Sequence, residues 1–530
     1  MAAQPARQES FNDKKEVDEA QQAPHLLGNT GLTFNPDEKQ EDLDVGAQAL
    51  KDVDLEYSKE EHDKLVWKID LRLMPLCAWA CGLQFVDKGA MGAAATYGMR
   101  EDIHLVGQEY SWCSSIFYFG YLIGAPIMGR IVQRYHAGRV LGLAYFAWGC
   151  TLLGMIGVKN FGAIMALRFL LGFFEAAVVP GLLLVTTMWY NPKEMPARFG
   201  IWTVMNGALP IPMLLIYYGL GHVTSTAIKP WQYIFLLLGL LSTLTGGLLF
   251  FLLPDNPTSV SWLNPREKAI AVHRNAATQI GIKNSHFKWE QAKEALMDYR
   301  VWMVSMQMFF CMSMGNITVN FVGIIIKGLG YTALKAQLYT APNQAVHTIS
   351  TLAVTVPATF IAFLRNKKQP LSATYTTLSL VGMLILLLVP ARPSTQTTRL
   401  GGVILTSTTG GNYANIMSVI GCNFTGFTKK QVVTSLTFTL YCITNIIAPQ
   451  TFLASEAPGY RTGIIYTLIM MSIYIVLAYA TWFDMILENR RRDKLALTDP
   501  AYSRAHDNSD VLNGLRDLTD RQNKHFRYSG

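Results

Sequence analysis

The chain has 530 residues, 50% of them hydrophobic and only 15% charged, with a formal net charge of +8. Soluble domains usually carry about 25% charged residues, so this composition points to one large membrane domain with polar ends. The basic residues are spread over short loops rather than gathered in one patch, which argues against a nucleic-acid-binding surface.

Residues 1–57 are rich in Gln, Asp, Glu, Lys and Pro without a helical or strand period, and read as a disordered cytosolic tail. The first apolar run starts near Leu71, so no secretory signal peptide is expected and the first span serves for membrane insertion. Ser58 with Glu61 makes a capping-box pattern, which predicts a short surface helix from Lys59 to about Ile69. A bilayer core needs about twenty apolar residues per helix. That measure predicts twelve spans, at 71–95, 109–130, 139–157, 162–188, 199–220, 232–253, 302–326, 338–364, 371–390, 400–421, 432–454 and 462–485. Each is a helix, because lipid-facing backbone must satisfy its hydrogen bonds internally and the runs are too long and uniform for barrel strands.

The longest polar interruption, 254–299, divides the spans six and six. The expected organisation is an N-terminal six-helix half at 58–253, a cytosolic central loop at 254–299, a C-terminal six-helix half at 300–489 and a polar, disordered tail at 490–530. Basic residues in short loops set the orientation. Arg134, Arg139, Lys193, Arg198, Arg365, Lys367, Lys368, Lys429 and Lys430, with Arg490 to Arg492, place both termini in the cytosol, although Arg392 and Arg399 share an outside loop. The seven cysteines lie in or beside apolar runs, so small buried hydrophobes are expected rather than a disulfide framework or a metal motif. Asn316-Ile317-Thr318 falls inside a span and Asn423-Phe424-Thr425 in a cytosolic loop, so neither glycosylation pattern is expected to be used.

Arg168 and Glu175 are the only formally charged residues between Phe161 and Met188. A charge at a bilayer centre costs on the order of 2.5–3.5 kcal/mol even on the mild insertion scale. Seven residues apart, the two return to nearly the same helix face, about 10 Å apart along the axis. A second pair, Asp87–Lys88, lies in the first span. Buried ions of both signs suggest a polar pathway through the membrane. Two packing alternatives compete: Asp87–Lys88 snorkelling to water at the outer end of its span, and Arg168–Glu175 locking helix four to helix two or eleven.

Six plus six helices with a long central loop resemble the major facilitator superfamily. The run Leu167-Arg168-Phe169-Leu170-Leu171-Gly172-Phe173-Phe174-Glu175, with Pro180-Gly181, Met188-Trp189-Tyr190, Glu194 and Arg198, resembles the helix-four block of its anion:cation symporters, closest to the fungal allantoate permease family. Asp87-Lys88-Gly89, Tyr118, Gly120 and Tyr121, Leu253-Pro254-Asp255-Asn256-Pro257, and Asn445-Ile446-Ile447-Ala448-Pro449-Gln450 are further marks of that resemblance, which covers about residues 58–490. Three signatures are missing. Gly129-Arg130 lacks the usual acidic residue ahead of it, Asn206-Gly207-Ala208-Leu209-Pro210 replaces the antiporter motif of helix five, and the sugar-porter signature after helix six is absent.

The resemblance implies that helices one, four, seven and ten surround a central cavity. On that basis Asp87 and Glu175 are expected to carry protons, and Lys88 and Arg168 to attract a substrate carboxylate, Arg as a planar fork and Lys as a point charge. Gln307, Asn316, Asn320, Asn412 and Asn415 are candidates to face the cavity from the C-terminal half, with ordinary interhelical hydrogen bonding as the alternative. His347 is expected as an interior histidine, with a proton relay as the alternative. Gly120, Gly124, Gly172 and Gly207 would let helices approach closely, and Gly410-Gly411 would bend helix ten. No nucleotide-binding loop is present, so an ion gradient is the expected energy source.

The resulting expectation is an all-α, twelve-helix membrane protein of the plasma membrane. It would be a monomeric secondary transporter that needs no cofactor and imports a small organic anion, such as a vitamin carboxylate or ureido acid, with protons. A proton-driven exporter of a secondary metabolite and a transporter-like nutrient sensor are the alternatives; nothing in the sequence suggests an enzyme.

Overall fold

The computed structural model describes residues 57–190, 194–223, 228–254, 257, 260–278, 288–360, 367–498 and 518–529. The tail expected at 1–57, apart from Tyr57, lies outside the described residues, as do 279–287 of the central loop and 499–517 of the C-terminal tail.

Helix α1 (Lys59–Thr96) starts where the capping pattern puts it. Ser58 Oγ accepts from the Glu61 amide and the Glu61 carboxylate accepts from the Ser58 amide, each at 3.2 Å. The surface helix and the first span, expected as separate pieces, form one continuous helix of 38 residues. At 1.5 Å per residue this is roughly 57 Å, well beyond a hydrocarbon core of about 30 Å. Its first turns therefore stand clear of the membrane, where Lys68 pairs with Glu267 at 2.8 Å and Asp70 with Arg198 at 2.5 Å. Partial burial opposes ionisation of Glu267, yet the Lys68 ammonium holds its carboxyl below the usual range.

Then follow α2 (Glu109–Arg134), α3 (Ala137–Gly154), α4 in two pieces (Phe161–Glu175 and Val178–Trp189), α5 in two pieces (Met195–Ala208 and Pro210–Leu220) and α6 (Pro230–Leu252). The central connection carries two short helices, Pro265–Thr278 and Trp289–Met297. Helix α7 runs Tyr299–Asn316, widens into a π turn over Ile317–Phe321 and resumes as Val322–Gly328. After α8 (Ala333–Phe360) and α9 (Lys368–Leu388), α10 comprises Gln396–Leu405, a 3-10 stretch over Thr406–Gly411 and Asn412–Asn423. Helices α11 (Phe427–Ile447) and α12 (Arg461–Ala496) complete the set.

Among the described residues, ten helices are long and apolar enough to cross a membrane. The two expected spans that fall short are α8, which carries Gln337, Asn343, Gln344 and His347, and α10, interrupted by the Thr- and Gly-rich stretch that ends in Gly410-Gly411. Helices α2 and α4 meet backbone to backbone. A Cβ on Gly172 would stand 2.0 Å from the Phe117 carbonyl oxygen, and one on Gly120 would stand 2.1 Å from that of Phe169. Lipid offers little hydrophobic drive between helices, so close approach of small residues is what holds such a pair. Of the cysteines, Cys77, Cys113, Cys311 and Cys442 are buried as expected, whereas Cys150 and Cys422 are exposed on the outside of the bundle.

The C-terminal tail departs from the expectation of disorder. Residues 518–529 return to pack against the central connection, α11 and α12. Lys429, read from sequence as a loop charge, is fully buried and pairs with Glu294 at 2.9 Å and with Asp298 and Asp520 at 2.8 Å each. Arg492 donates to the carbonyls of Asp520, Asn523 and Phe526 at 3.1, 3.2 and 2.9 Å. The Asn423 side chain holds the backbone of Ser529 through both its amide atoms, at 2.8 and 2.6 Å. These are polar contacts made one residue at a time, so no apolar period announces them in the sequence. Breaking a buried ion pair by removing one partner costs about 3–5 kcal/mol. Lys429→Met, which leaves two buried carboxylates facing each other, is expected to lower the melting temperature of the detergent-solubilised protein, and deletion of 518–530 to lower it as well. An unchanged melting temperature on deletion would contradict the docking of this segment.

Candidate substrate and proton site

The charged residues of α1 and α4 meet inside the bundle. Gln84 and Lys88 lie one helical turn apart on α1 and share a face. Lys88 Nζ stands 3.2 Å from Glu175 Oε1, and Gln84 Nε2 donates to the same oxygen at 2.9 Å. Glu175 is 0% exposed, and its other oxygen, Oε2, has no hydrogen-bond partner. Asp87 is 1% exposed; its Oδ2 accepts from the indole N–H of Trp148 on α3 at 3.3 Å, and its Oδ1 has no partner. Asp87–Lys88 therefore points into the bundle rather than to water at the end of its span.

Arg168 is held by α2. Its Nε donates to the Cys113 carbonyl at 3.3 Å, and its guanidinium carbon lies 5.5 Å from the Phe117 ring centroid. Gly172, one turn along α4 from Arg168, makes this possible by letting α2 come close. Among the described residues, no carboxylate stands at ion-pairing distance from Arg168. Arg168 thus ties α4 to the backbone of α2 while its charge remains without a direct counter-ion, and Glu175, its companion in the packing alternative, pairs with α1 rather than with α2 or α11.

Of the candidates on the C-terminal half, Asn320 joins this group. It sits on the π turn of α7 and lines a cavity of about 10 Å³ together with Lys88, Ser114, Phe117, Tyr118 and Arg168. That is room for about one water. Asn320 Nδ2 also donates to Asn316 Oδ1 at 3.2 Å, which places Asn316 one turn away. The others lie elsewhere. Gln307 donates to Thr481 at 2.7 Å and accepts from Gln369 at 3.0 Å, in the seam of α7, α9 and α12. Asn412 accepts from Ser372 at 2.7 Å and donates to Thr376 at 2.9 Å, both on α9. Asn415 is buried beside Tyr474 of α12.

Sequence reasoning passed over Gln84, Trp148 and Cys113. Gln84 carried a readable signal, its four-residue spacing from Lys88. Trp148 carried a weaker one, since a buried indole N–H usually finds an acceptor. Cys113 acts through its backbone carbonyl, so its side-chain identity announces nothing.

The halves are stitched together at the end remote from the termini. Arg100 donates to the Tyr460 hydroxyl at 3.3 Å, Lys327 to the Thr96 carbonyl at 3.4 Å and Tyr110 to the Asn320 carbonyl at 2.8 Å. Ser115 adds bonds to the Ile446 carbonyl at 2.7 Å and from Gln450 at 3.0 Å. Each is a single neutral or singly charged hydrogen bond, the kind that a rocking motion can exchange.

Twelve long helices among the described residues, several of them broken, with a cluster of ions held inside the bundle by α1 and α4, describe a carrier. Residues 77–449 match the Major Facilitator Superfamily. The chain belongs to that superfamily. An uncharacterized transporter of Schizosaccharomyces pombe is 34% identical to this transporter over 98% of this chain and 95% of its own length. The allantoate permease of Saccharomyces cerevisiae is 29% identical over 95% of this chain and 92% of its own, so the family resemblance read in the sequence holds. In fold, the transporter is similar to the inward open xylose transporter XylE from E. coli, with a TM-score of 0.58 at 11% identity over 76% of this chain and 94% of that one.

The α2–α4 contact gives a direct test of how the site is held. Gly172→Val places a side chain where backbone already stands and is expected to remove most folded transporter from the membrane, while Gly129→Ala, with nothing within 4 Å of its added carbon, leaves the yield unchanged. Normal surface yield of the Gly172 variant would contradict the packing described.

Proposed function

We propose that this transporter imports a small organic anion together with protons across the plasma membrane. The observation that carries the reading is the balance of four charges inside the bundle, the part-buried Lys88 and the buried Arg168 against the buried Asp87 and Glu175, with one oxygen of each carboxylate lacking a protein partner. As ions the four sum to zero. Adding an anion leaves a net charge in a poorly solvated place, which is unfavourable. Adding a proton to one carboxylate restores neutrality.

Lys88 supplies the coupling. Glu175 and the substrate carboxylate compete for its ammonium, 3.2 Å from Glu175 in the unloaded arrangement. A proton taken at Glu175 Oε2 weakens that pair and frees Lys88 for the anion. Arg168, with no carboxylate of its own, offers the planar fork that binds carboxylates through two parallel hydrogen bonds. When the proton leaves on the other side, the Lys88–Glu175 pair re-forms and displaces the anion. The acidic side of the membrane is therefore the loading side, and an acidic exterior drives import. A relative named allantoate permease is in keeping with an anionic substrate.

Uptake of labelled carboxylates into cells expressing the protein tests this. Uptake is expected to rise with an inward proton gradient and to collapse with a protonophore; efflux driven by an acidic exterior would contradict import. Arg168→Ala is expected to abolish uptake while surface expression persists, and normal uptake by that variant would break the binding assignment. Glu175→Gln, a fixed mimic of the protonated acid, is expected to separate substrate movement from proton movement. Undiminished proton entry with substrate in that variant would count against Glu175 as the coupling group.

A further inference from the structure

The central connection carries an apolar surface for which the transport scheme has no use. Its helix Trp289–Met297 buries Gln291, Ala292 and Ala295 against the bundle, where Gln291 Oε1 accepts from the amides of Thr428 and Lys429 at 3.1 and 3.4 Å. At roughly 100° per residue, Trp289, Lys293 and Leu296 fall within an arc of about 60° on a second face. All three are exposed, Trp289 by 79% and Leu296 by 52%, and Met297 at the border of this strip by 69%. Glu290 and Glu294 occupy the third side, about 100° and 140° around the helix from Trp289. That side faces the docked C-terminal segment, since Glu294 meets Lys429 at 2.9 Å and the Thr519 hydroxyl at 3.0 Å.

Two contacts fix the height of the strip along the bundle. The Trp302 indole, three residues into α7, donates to the Leu296 carbonyl at 2.8 Å, so Leu296 sits close to the level of Trp302. Tyr299, the first residue of α7, donates to Asp484 of α12 at 2.7 Å, and around that level α12 exposes Phe483 and Leu487. Exposed apolar side chains on spanning helices face lipid, and the strip continues that surface. Tryptophan and tyrosine collect at the boundary between hydrocarbon and water, where an apolar ring and a polar tip are both accommodated. Lys293 suits the same boundary, with its stem along Trp289 and Leu296 and its ammonium free to reach a lipid phosphate. The two glutamates, which phosphates would repel, lie on the side turned away.

We infer that helix Trp289–Met297 lies in the headgroup layer of the leaflet on the side of the chain termini, with Trp289 and Leu296 among the acyl chains and Lys293 on lipid phosphate. This part of the central connection is then a surface anchor rather than a free loop. Its opposite face holds α11 through Gln291 and Glu294, so one short helix ties the membrane surface to the end of α11. The inference stands apart from the anion reading and needs no substrate for its test.

The full-length protein in liposomes provides that test. Cys150 and Cys422 are exposed and are first changed to Ser, and the signal of this background is subtracted. A nitroxide is then attached at Leu296→Cys or at Glu290→Cys, and its relaxation is measured with oxygen, which concentrates in the bilayer, and with a water-soluble nickel chelate. Oxygen is expected to outweigh nickel at Leu296→Cys, and the order to reverse at Glu290→Cys. A Leu296→Cys label relaxed mainly by nickel places the strip in water and overturns the inference. A label reached by neither reagent overturns it as well, in favour of a protein partner or a second copy of this chain. Trp289→Cys reports on the same strip, with the same readings, should the Leu296 variant fail to reach the membrane.

Discussion

A lysine ammonium and a glutamate carboxylate 3.2 Å apart, inside a membrane-spanning bundle, constrain everything around them. Ions at this depth are unfavourable unless their partners are in place, and removing one partner is worse than removing both. The surroundings of Lys88 and Glu175 supply that support. Gln84 donates to the paired oxygen, Trp148 donates to the neighbouring Asp87, and the Cys113 carbonyl anchors Arg168. The support is incomplete in one respect that matters: one oxygen on each carboxylate is left without a partner. In the proposed cycle such an oxygen is where the proton binds.

The helices hold this cluster by contact of backbones rather than by burial of large side chains. Gly120 and Gly172 bring α2 against α4, and Gly92 brings α1 against the π turn of α7. The first contact lies within the N-terminal half and fixes the position of Arg168. The second lies between the halves, at a turn whose hydrogen bonding is already irregular. The docked C-terminal segment, by contrast, ties α11 and α12 to the central connection and leaves the cluster untouched.

Much of this was legible in the sequence. Ten of the twelve spans announce themselves by length and apolarity, and the four central charges stand out because nothing else is ionised between Leu73 and Thr96 of α1 or between Phe161 and Trp189 of α4. The rest depended on information that the sequence holds only in three dimensions. Gln307, Asn316 and Asn320 lie on one helix, yet Gln307 turns to α9 and α12 while Asn320 reaches the ions, because thirteen residues along a helix put the two about 140° apart. Lys429 reads as a surface charge until three acids, all of them far away in the chain, are seen to enclose it.

The charge balance at the centre of the proposed cycle has a direct electrical consequence. The empty site and the site holding one monovalent anion with one proton carry the same net charge, so neither loaded nor empty carrier moves charge across the bilayer. Purified protein in sealed liposomes, loaded to impose either a proton gradient or a potassium-valinomycin potential, separates the two driving forces. The account predicts uptake of a monovalent carboxylate under the proton gradient and none above background under the potential alone. Uptake driven by the potential, with pH equal on both sides, would contradict it.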